Sequence, residues 1–208
     1  MKLFSFAIFL ISFLSFSQND IDTELDSINT IQDYKEYVDS GKNIDGKLVT
    51  FNKEKHKTTL ANDLFKLSKG GKKVVESNYK TVYYKIIDKS GVVHNRVSCI
   101  FFDGSKMPLE NINAQRALII KKYKEGFNFK TLAKYYSMDL NAQKGGDLGW
   151  FPNGVMHPEF EQSIKAHNVD DIFTLDIPEK GWYYVILKTH KPQTIEELTV
   201  LKFSKSKT

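Results

Sequence analysis

The sequence predicts a mixed α/β chain of the α+β kind, and three features predict it. Near the start, Ile21, Leu25, Ile28 and Ile31 recur at three- and four-residue spacing with acids between them, the signature of an amphipathic helix. In mid-chain, residues 79–88 and 92–102 are rich in tyrosine, valine and isoleucine. Residues 172–177 and 182–188 repeat that composition after a further helical stretch, and all four segments are bounded by turn residues as strands are.

Taken in order, residues 1–17 hold Lys2, an apolar run over 3–14, and Ser15 and Ser17 flanking Phe16. A basic start, an apolar run too short to cross a bilayer and small residues just before Gln18 form the layout of a cleavable signal peptide. Export is therefore expected, to the periplasm or the medium, with cleavage after Ser17 and no stable membrane anchor.

Residues 18–78 read as a mainly helical N-terminal region without a catalytic motif. One helix should run from Asp20 to about Val38, opened by Asn19 or Asp20. A loop bracketed by Gly41 and Gly46 follows, and a second helix over 59–67 puts Leu60, Leu64 and Leu67 on one side before the Gly70-Gly71 stop. This apolar stripe is either ordinary packing or a groove for unfolded clients.

Asp88-Lys89-Ser90-Gly91 supplies turn chemistry between the first two strand candidates, so 79–102 reads as a long hairpin. Asp103-Gly104 turns the chain again. After Pro108, a helix over 113–125 should face inward with Ala117, Ile120 and Tyr123 or Lys124 and stop at Gly126. Residues 157–166 form a further helix with Phe160 and Ile164 inward, and Pro178-Glu179-Lys180-Gly181 joins the last two strands. Residues 191–208 read as a polar, basic tail with one helical turn at 195–198.

Composition excludes several function classes. In 208 residues, charged side chains make up 26% and hydrophobic ones 41%, an ordinary soluble balance with room for one medium domain and an accessory segment. The net charge of +5 comes from lysines interspersed with acids, a solvated surface rather than a nucleic-acid stripe. The single cysteine, Cys99, rules out an intramolecular disulfide. The five histidines, His56, His94, His157, His167 and His190, show no ligand spacing, so no metal or cofactor is expected.

The densest signal lies between Phe127 and Phe160. A helical turn carrying Phe129, Leu132, Ala133 and Tyr136 runs into Ser137-Met138-Asp139, then Gly145-Gly146-Asp147-Leu148-Gly149-Trp150-Phe151, then Gly154, Met156 and Phe160. This stretch resembles the core of the parvulin family of peptidyl-prolyl cis/trans isomerases, and the likeness extends more loosely over 96–189. The resemblance implies an isomerase domain over 79–190 with a four-stranded antiparallel sheet flanked by helices. It also implies that Leu148, Met156 and Phe160 form a proline-ring pocket with Phe151 beside it, where spacing alone reads them as plain core.

Asp139 matches an aspartate or cysteine at the floor of the family's cleft. A carboxyl beside an apolar pocket can act as a hydrogen-bond donor or field source, and the alternative is a turn-capping aspartate. Asp147 also matches, as a residue that fixes a turn. Two positions depart from the pattern. Cys99 stands where the first strand usually has histidine, and Tyr183 where the last strand has its second. Alternation makes a Cys99 to Tyr183 contact an expectation, with Cys99 inert rather than nucleophilic. The loop before the 113–125 helix holds only Lys106, too little charge for phosphate-dependent recognition.

The reaction implied is rotation about an Xaa-Pro bond against a barrier of about 18–20 kcal/mol. It needs no nucleophile and no metal. A dry pocket favours the less dipolar twisted imide, and a donor near the proline nitrogen favours it further. Two functions follow: an exported prolyl isomerase acting on unfolded or proline-containing polypeptide clients, with Asp139, Cys99 and Tyr183 at its polar end, or a non-catalytic chaperone that keeps the pocket and has lost turnover with the histidine pair.

Overall fold

The computed structural model describes residues 16–41 and 46–207. The expected signal segment falls almost wholly outside them. In chain order the elements are α1 (Phe16–Ser27), α2 (Ile31–Asp39), β1 (Gly46–Asn52), α3 (Thr59–Phe65), β2 (Lys72–Glu76), β3 (Lys80–Asn95), β4 (Ser98–Asp103), α4 (Leu109–Lys124), α5 (Phe129–Tyr136), β5 (Phe151–Pro152), α6 (Pro158–Ala166), β6 (Ile172–Ile177), β7 (Trp182–Leu187) and β8 (Gln193–Ser206). The class is the expected mixed α/β, with antiparallel sheets and N-terminal helices. The chain divides into two compact units, one running up to Ser90 and resuming at Glu197, the other spanning 91–196.

In the first unit the sheet order is β1-β8-β3-β2. Leu25, Ile28 and Tyr37 from the helical segment pack on Tyr83, Ile87, Leu201 and Phe203. Ala61, Leu64 and Phe65 of α3 pack with Val82, Tyr84, Ile86, Leu198 and Val200. Alternate residues of β3 and β8 thus serve different clusters, so both faces of these strands are covered. The buried Lys85 bonds through Nζ to the Leu25 carbonyl at 2.6 Å and Asn29 Oδ1 at 2.9 Å, which satisfies a charge that burial would otherwise penalise.

Four expectations are corrected in this description. The single helix over 20–38 is two helices, because Thr30 opens α2 with a capping box: its hydroxyl accepts from the Asp33 N–H, and the Asp33 carboxylate accepts from the Thr30 N–H. The hairpin turn at 88–91 is absent. β3 runs unbroken through it beside β8, and the hairpin is formed instead by β2 and β3. The basic tail carries β8, with Ile195, Leu198, Val200, Leu201 and Phe203 buried. Finally, α4 begins at Leu109 and buries Ile112, Arg116 and Ile119, while Ala117 faces solvent.

The second unit is built on the antiparallel sheet β4-β7-β6. Ile100, Phe102, Val185 and Leu187 point to one face, against Ile112 and Ile119 of α4 and Phe129, Leu132 and Ala133 of α5. Val97, Cys99, Phe173 and Ile186 point to the other, against Phe151 and against Phe160 and Ile164 of α6. Of the four expected strand segments, 79–88 lies in β3 of the other sheet, so this sheet has three strands, and the short β5 pairs with His94 and Asn95 at the end of β3.

Candidate active site

The α6 face of this sheet holds a cavity of about 320 Å³, lined by Cys99, Asp139, Asn141, Leu148, Val155, Met156, His157, Phe160, Trp182 and Tyr184. Phe160, Met156, Asp139 and Cys99 are each placed by a local device. Phe160 comes from α6, which starts with Pro158 at its first position, where the missing N–H costs nothing. The other end of α6 is held by the buried Lys188, whose Nζ donates to the Ile164 carbonyl at 2.9 Å and the His167 carbonyl at 2.5 Å. Met156 sits on a turn tied to the same helix: the Gly154 and Met156 N–H groups donate to Glu161 Oε1 at 2.7 and 3.1 Å.

Asp139 is fixed by the chain that follows α5. The Met138 N–H donates to the Phe101 carbonyl at 2.9 Å, and Ser137 Oγ accepts from the Phe101 N–H at 3.0 Å, so this segment is tied to β4. Asp139 then caps a short 3-10 helix, Leu140–Lys144, accepting from the Asn141 N–H at 2.9 Å. The carboxylate is half-buried and belongs to the cavity lining.

Gly146 makes the next contact. Its N–H is bonded to Asn141 and its carbonyl accepts from the Cys99 N–H at 2.9 Å, while its φ of +76° and a built Cβ only 2.3 Å from the Cys99 carbonyl leave room for glycine alone. Asp147 takes the turn-fixing role: it accepts from Arg96 Nε at 3.1 Å, Arg96 Nη2 at 2.5 Å and the Gly149 N–H at 2.9 Å. The Arg96 hydrogen bond holds its carboxyl below the usual range.

Two polar groups of the cavity lining, Cys99 and Tyr184, are uncharged at neutral pH. Burial pushes the Cys99 thiol up to about 12, with the negative charge of Asp139 adding to it. Burial, then Cys99 and Asp139, push the Tyr184 phenol up to about 12 as well. Cys99 is 2% exposed. A thiol held protonated at neutral pH in this way is no nucleophile.

Of the seven sequence-predicted residues, Cys99, Asp139, Leu148, Met156 and Phe160 are brought together around the cavity. Phe151 packs in the cluster with Phe160 but does not line the cavity. Tyr183 lies elsewhere, which corrects the expected Cys99 to Tyr183 contact. The register pairs Cys99 with Ile186 and Tyr183 with Phe102, and the Tyr183 ring lies on the α4 side under the Arg116 guanidinium, 5.6 Å away. The neighbouring Tyr184 faces the cavity, its ring 5.3 Å from that of Phe160.

Sequence reasoning also missed Asn141, Val155, His157 and Trp182 as lining, and Glu161 as the tie for the Met156 turn. A larger, more open cavity of about 610 Å³ lies where α5 begins, lined among others by Ser98, Lys130, Lys144 and Asp147. It contains none of the seven, and its shallow polar walls suit the chemistry of an imide less well than the smaller apolar hollow does.

A family model described as the PPIC-type PPIASE domain matches residues 82–191. Among curated proteins, the chain is similar to Chaperone SurA of Nitrosospira multiformis, 29% identical over 126 residues, covering 60% of this chain and 28% of that one. It is also similar to Foldase protein PrsA of Halalkalibacterium halodurans, 31% identical over 105 residues, covering 50% and 31%. The chain thus spans less than a third of the length of these relatives. Among solved structures, the peptidylprolyl isomerase PrsA of Bacillus anthracis is 32% identical with a TM-score of 0.41, over 50% of this chain and 44% of that one.

Proposed function

The chain belongs to the family of PPIC-type PPIase domains, the parvulins, and from that premise we propose that it is itself a peptidyl-prolyl cis/trans isomerase working on unfolded, proline-containing polypeptides. The observation that carries the proposal is the make-up of the cavity lining: apolar Leu148, Met156 and Phe160 stand together with Asp139, the buried neutral thiol of Cys99 and the half-buried neutral phenol of Tyr184.

A pyrrolidine ring seated on these apolar side chains is stripped of water, which disfavours the dipolar planar imide relative to the twisted one. Rotation removes conjugation and returns the lone pair to the proline nitrogen. The phenol and thiol remain hydrogen-bond donors throughout the physiological pH range, and Asp139 sets the field across the bond. Only interactions stronger in the twisted state accelerate the step. Lowering the barrier by about 4 kcal/mol gives roughly a thousandfold in rate.

The N-terminal segment, with its basic start, short apolar run and small residues before Gln18, supports export as the setting for this activity. A second reading, a chaperone that binds proline segments without turnover, is favoured by one observation. Cys99 and Tyr183 stand at the two positions where the family's motif has histidine, and the phenol that reaches the cavity comes from Tyr184.

One assay tests both. Isomerisation of short Xaa-Pro peptides is followed with wild type and Met156→Ala, beside suppression of aggregation of an unfolded client. Turnover that falls at least tenfold in the variant supports the isomerase. Wild-type protein without turnover that still suppresses aggregation establishes the second reading.

A further inference from the structure

His157, which lines the cavity, and two glutamates beside it form a cluster that the isomerase reading does not use. His157 stands at the cap position of α6, Glu159 in the first turn of the same helix, and Glu179 in the short 3-10 turn Pro178–Lys180 between β6 and β7. Their ligand atoms all lie within 4.8 Å of one another, with His157 Nε2 3.6 Å from Glu179 Oε1. Neither glutamate is paired with a lysine or arginine among the described residues. Two carboxylates are thus held near each other with an imidazole as their one neighbour of opposite character, an arrangement that repels itself unless a cation joins it.

The backbone prepares the site. Pro158 separates His157 from Glu159, and Pro178 precedes Glu179, so fixed φ angles limit the wandering of all three attachment points. His157 Nδ1 is buried without a partner, which leaves Nε2 as the ring's reachable nitrogen, on the side of the acids. Some point lies no more than about 2.8 Å from three atoms that are 4.8 Å apart or closer, and the exposed glutamates need move only about 0.7 Å inward to reach the 2.0–2.2 Å of zinc–oxygen and zinc–nitrogen bonds.

We propose that His157, Glu159 and Glu179 form a binding site for a late first-row divalent cation of the Zn²⁺ type, with water in its open position, clasping the start of α6 to the β6–β7 turn at the wall of the cavity. The imidazole selects against Ca²⁺ and Mg²⁺, which take oxygen ligands, and the carboxylates select against the softest ions. The Nδ1 proton has no acceptor, and lack of such an outer partner typically weakens a site 10- to 100-fold, so this site is weaker than one whose imidazole is bonded on both sides. His157 and Trp182 both line the cavity, their rings 6.3 Å apart. Occupancy therefore fixes one wall of the proline pocket, and that consequence alone rests on the isomerase reading.

The test uses the full chain without a tag. Zn²⁺ is titrated by calorimetry, and Co²⁺ by its visible absorption and by quenching of Trp182 fluorescence in a Trp150→Phe background. The expected result is one ion per chain, saturating below 1 mM, weakened at least tenfold by Glu179→Gln and by Glu159→Gln and lost in His157→Ala. Both glutamates are exposed, so their variants keep the fold even if the histidine variant does not. No saturable binding below 1 mM, or binding unchanged in both glutamine variants, overturns the site and leaves a simple imidazole–carboxylate contact. Peptide isomerisation with and without Zn²⁺ is a separate arm: a protein that binds the ion but turns over no peptide refutes the isomerase and leaves the ion site standing.

Discussion

Replacing Asp139 with asparagine changes a charge and little else, which makes it the sharpest probe of the polar lining of the cavity. The carboxylate's structural duty is to cap the 3-10 helix that follows, accepting from the Asn141 N–H at 2.9 Å. Asparagine caps about as well as aspartate, so Asp139→Asn costs less than about 1 kcal/mol of stability, whereas Asp139→Ala loses the cap and costs about 1 kcal/mol. What asparagine lacks is the negative charge facing the cavity. An interaction with a charged partner is worth about 1.5–3 kcal/mol, so losing it in the twisted state lowers kcat/KM by roughly 10- to 100-fold. The same change removes one cause of the raised Cys99 and Tyr184 values, so both groups titrate at lower pH in the variant. The measurements are peptide isomerisation, thermal melting, and thiol and phenol titration by absorbance. Wild-type kcat/KM in Asp139→Asn, with unchanged melting, would refute the reasoning and leave Asp139 as a cap alone.

Three further outcomes are expected. Cys99 resists alkylation in the native protein at pH 8 and reacts at least a hundredfold faster in denaturant, because it is buried and its thiol is held protonated; equal rates in both states would contradict the buried site. Tyr184→Phe lowers kcat/KM about tenfold, the worth of one hydrogen bond, while Tyr183→Phe, on the α4 side of the sheet, leaves it unchanged; the reverse order in the peptide assay would overturn the register. Arg96→Gln removes the partner that depresses Asp147. The pair's contribution is present above the ordinary carboxylate value of 3.8 and fades as pH falls through the lower folded value. Wild type is therefore more stable than Arg96→Gln by about 1 kcal/mol at pH 7, a figure kept small by partial exposure, and denaturant unfolding at pH 3 shows the gap closing.

Much of the second unit was legible because its signals are local. The apolar face of α5 and the Gly145-Gly146 break each act within a few residues. The first unit was harder to read because its architecture is not local. Asp88-Lys89-Ser90-Gly91 has every residue preference of a turn, yet β8, more than a hundred residues later in the chain, lies beside β3 and keeps that stretch extended. Ile195 and Leu198 stand three apart as on a helix, but with the sheet available β8 can bury side chains on both faces, and spacing then carries no period to detect.

The misplacement of Tyr183 has the same origin. In Trp182-Tyr183-Tyr184-Val185-Ile186-Leu187 every residue is apolar or aromatic, because α4 and α5 cover one face of β7 and α6 the other. A strand of that kind hides its own parity, and a one-residue shift exchanges every side chain between faces. The ladder settles it: Tyr184 opposite Phe101 and Ile186 opposite Cys99 put the even-numbered residues toward the cavity. The phenol that lines the cavity is thus one residue beyond the position that the family pattern selects. If the cavity acts on an imide, its donors are the hydroxyl of Tyr184 and the thiol of Cys99, two groups that stay protonated across the physiological pH range. An imidazole pair would change charge near neutrality; this pair does not, so these two donors add no pH dependence to the activity between pH 6 and 9.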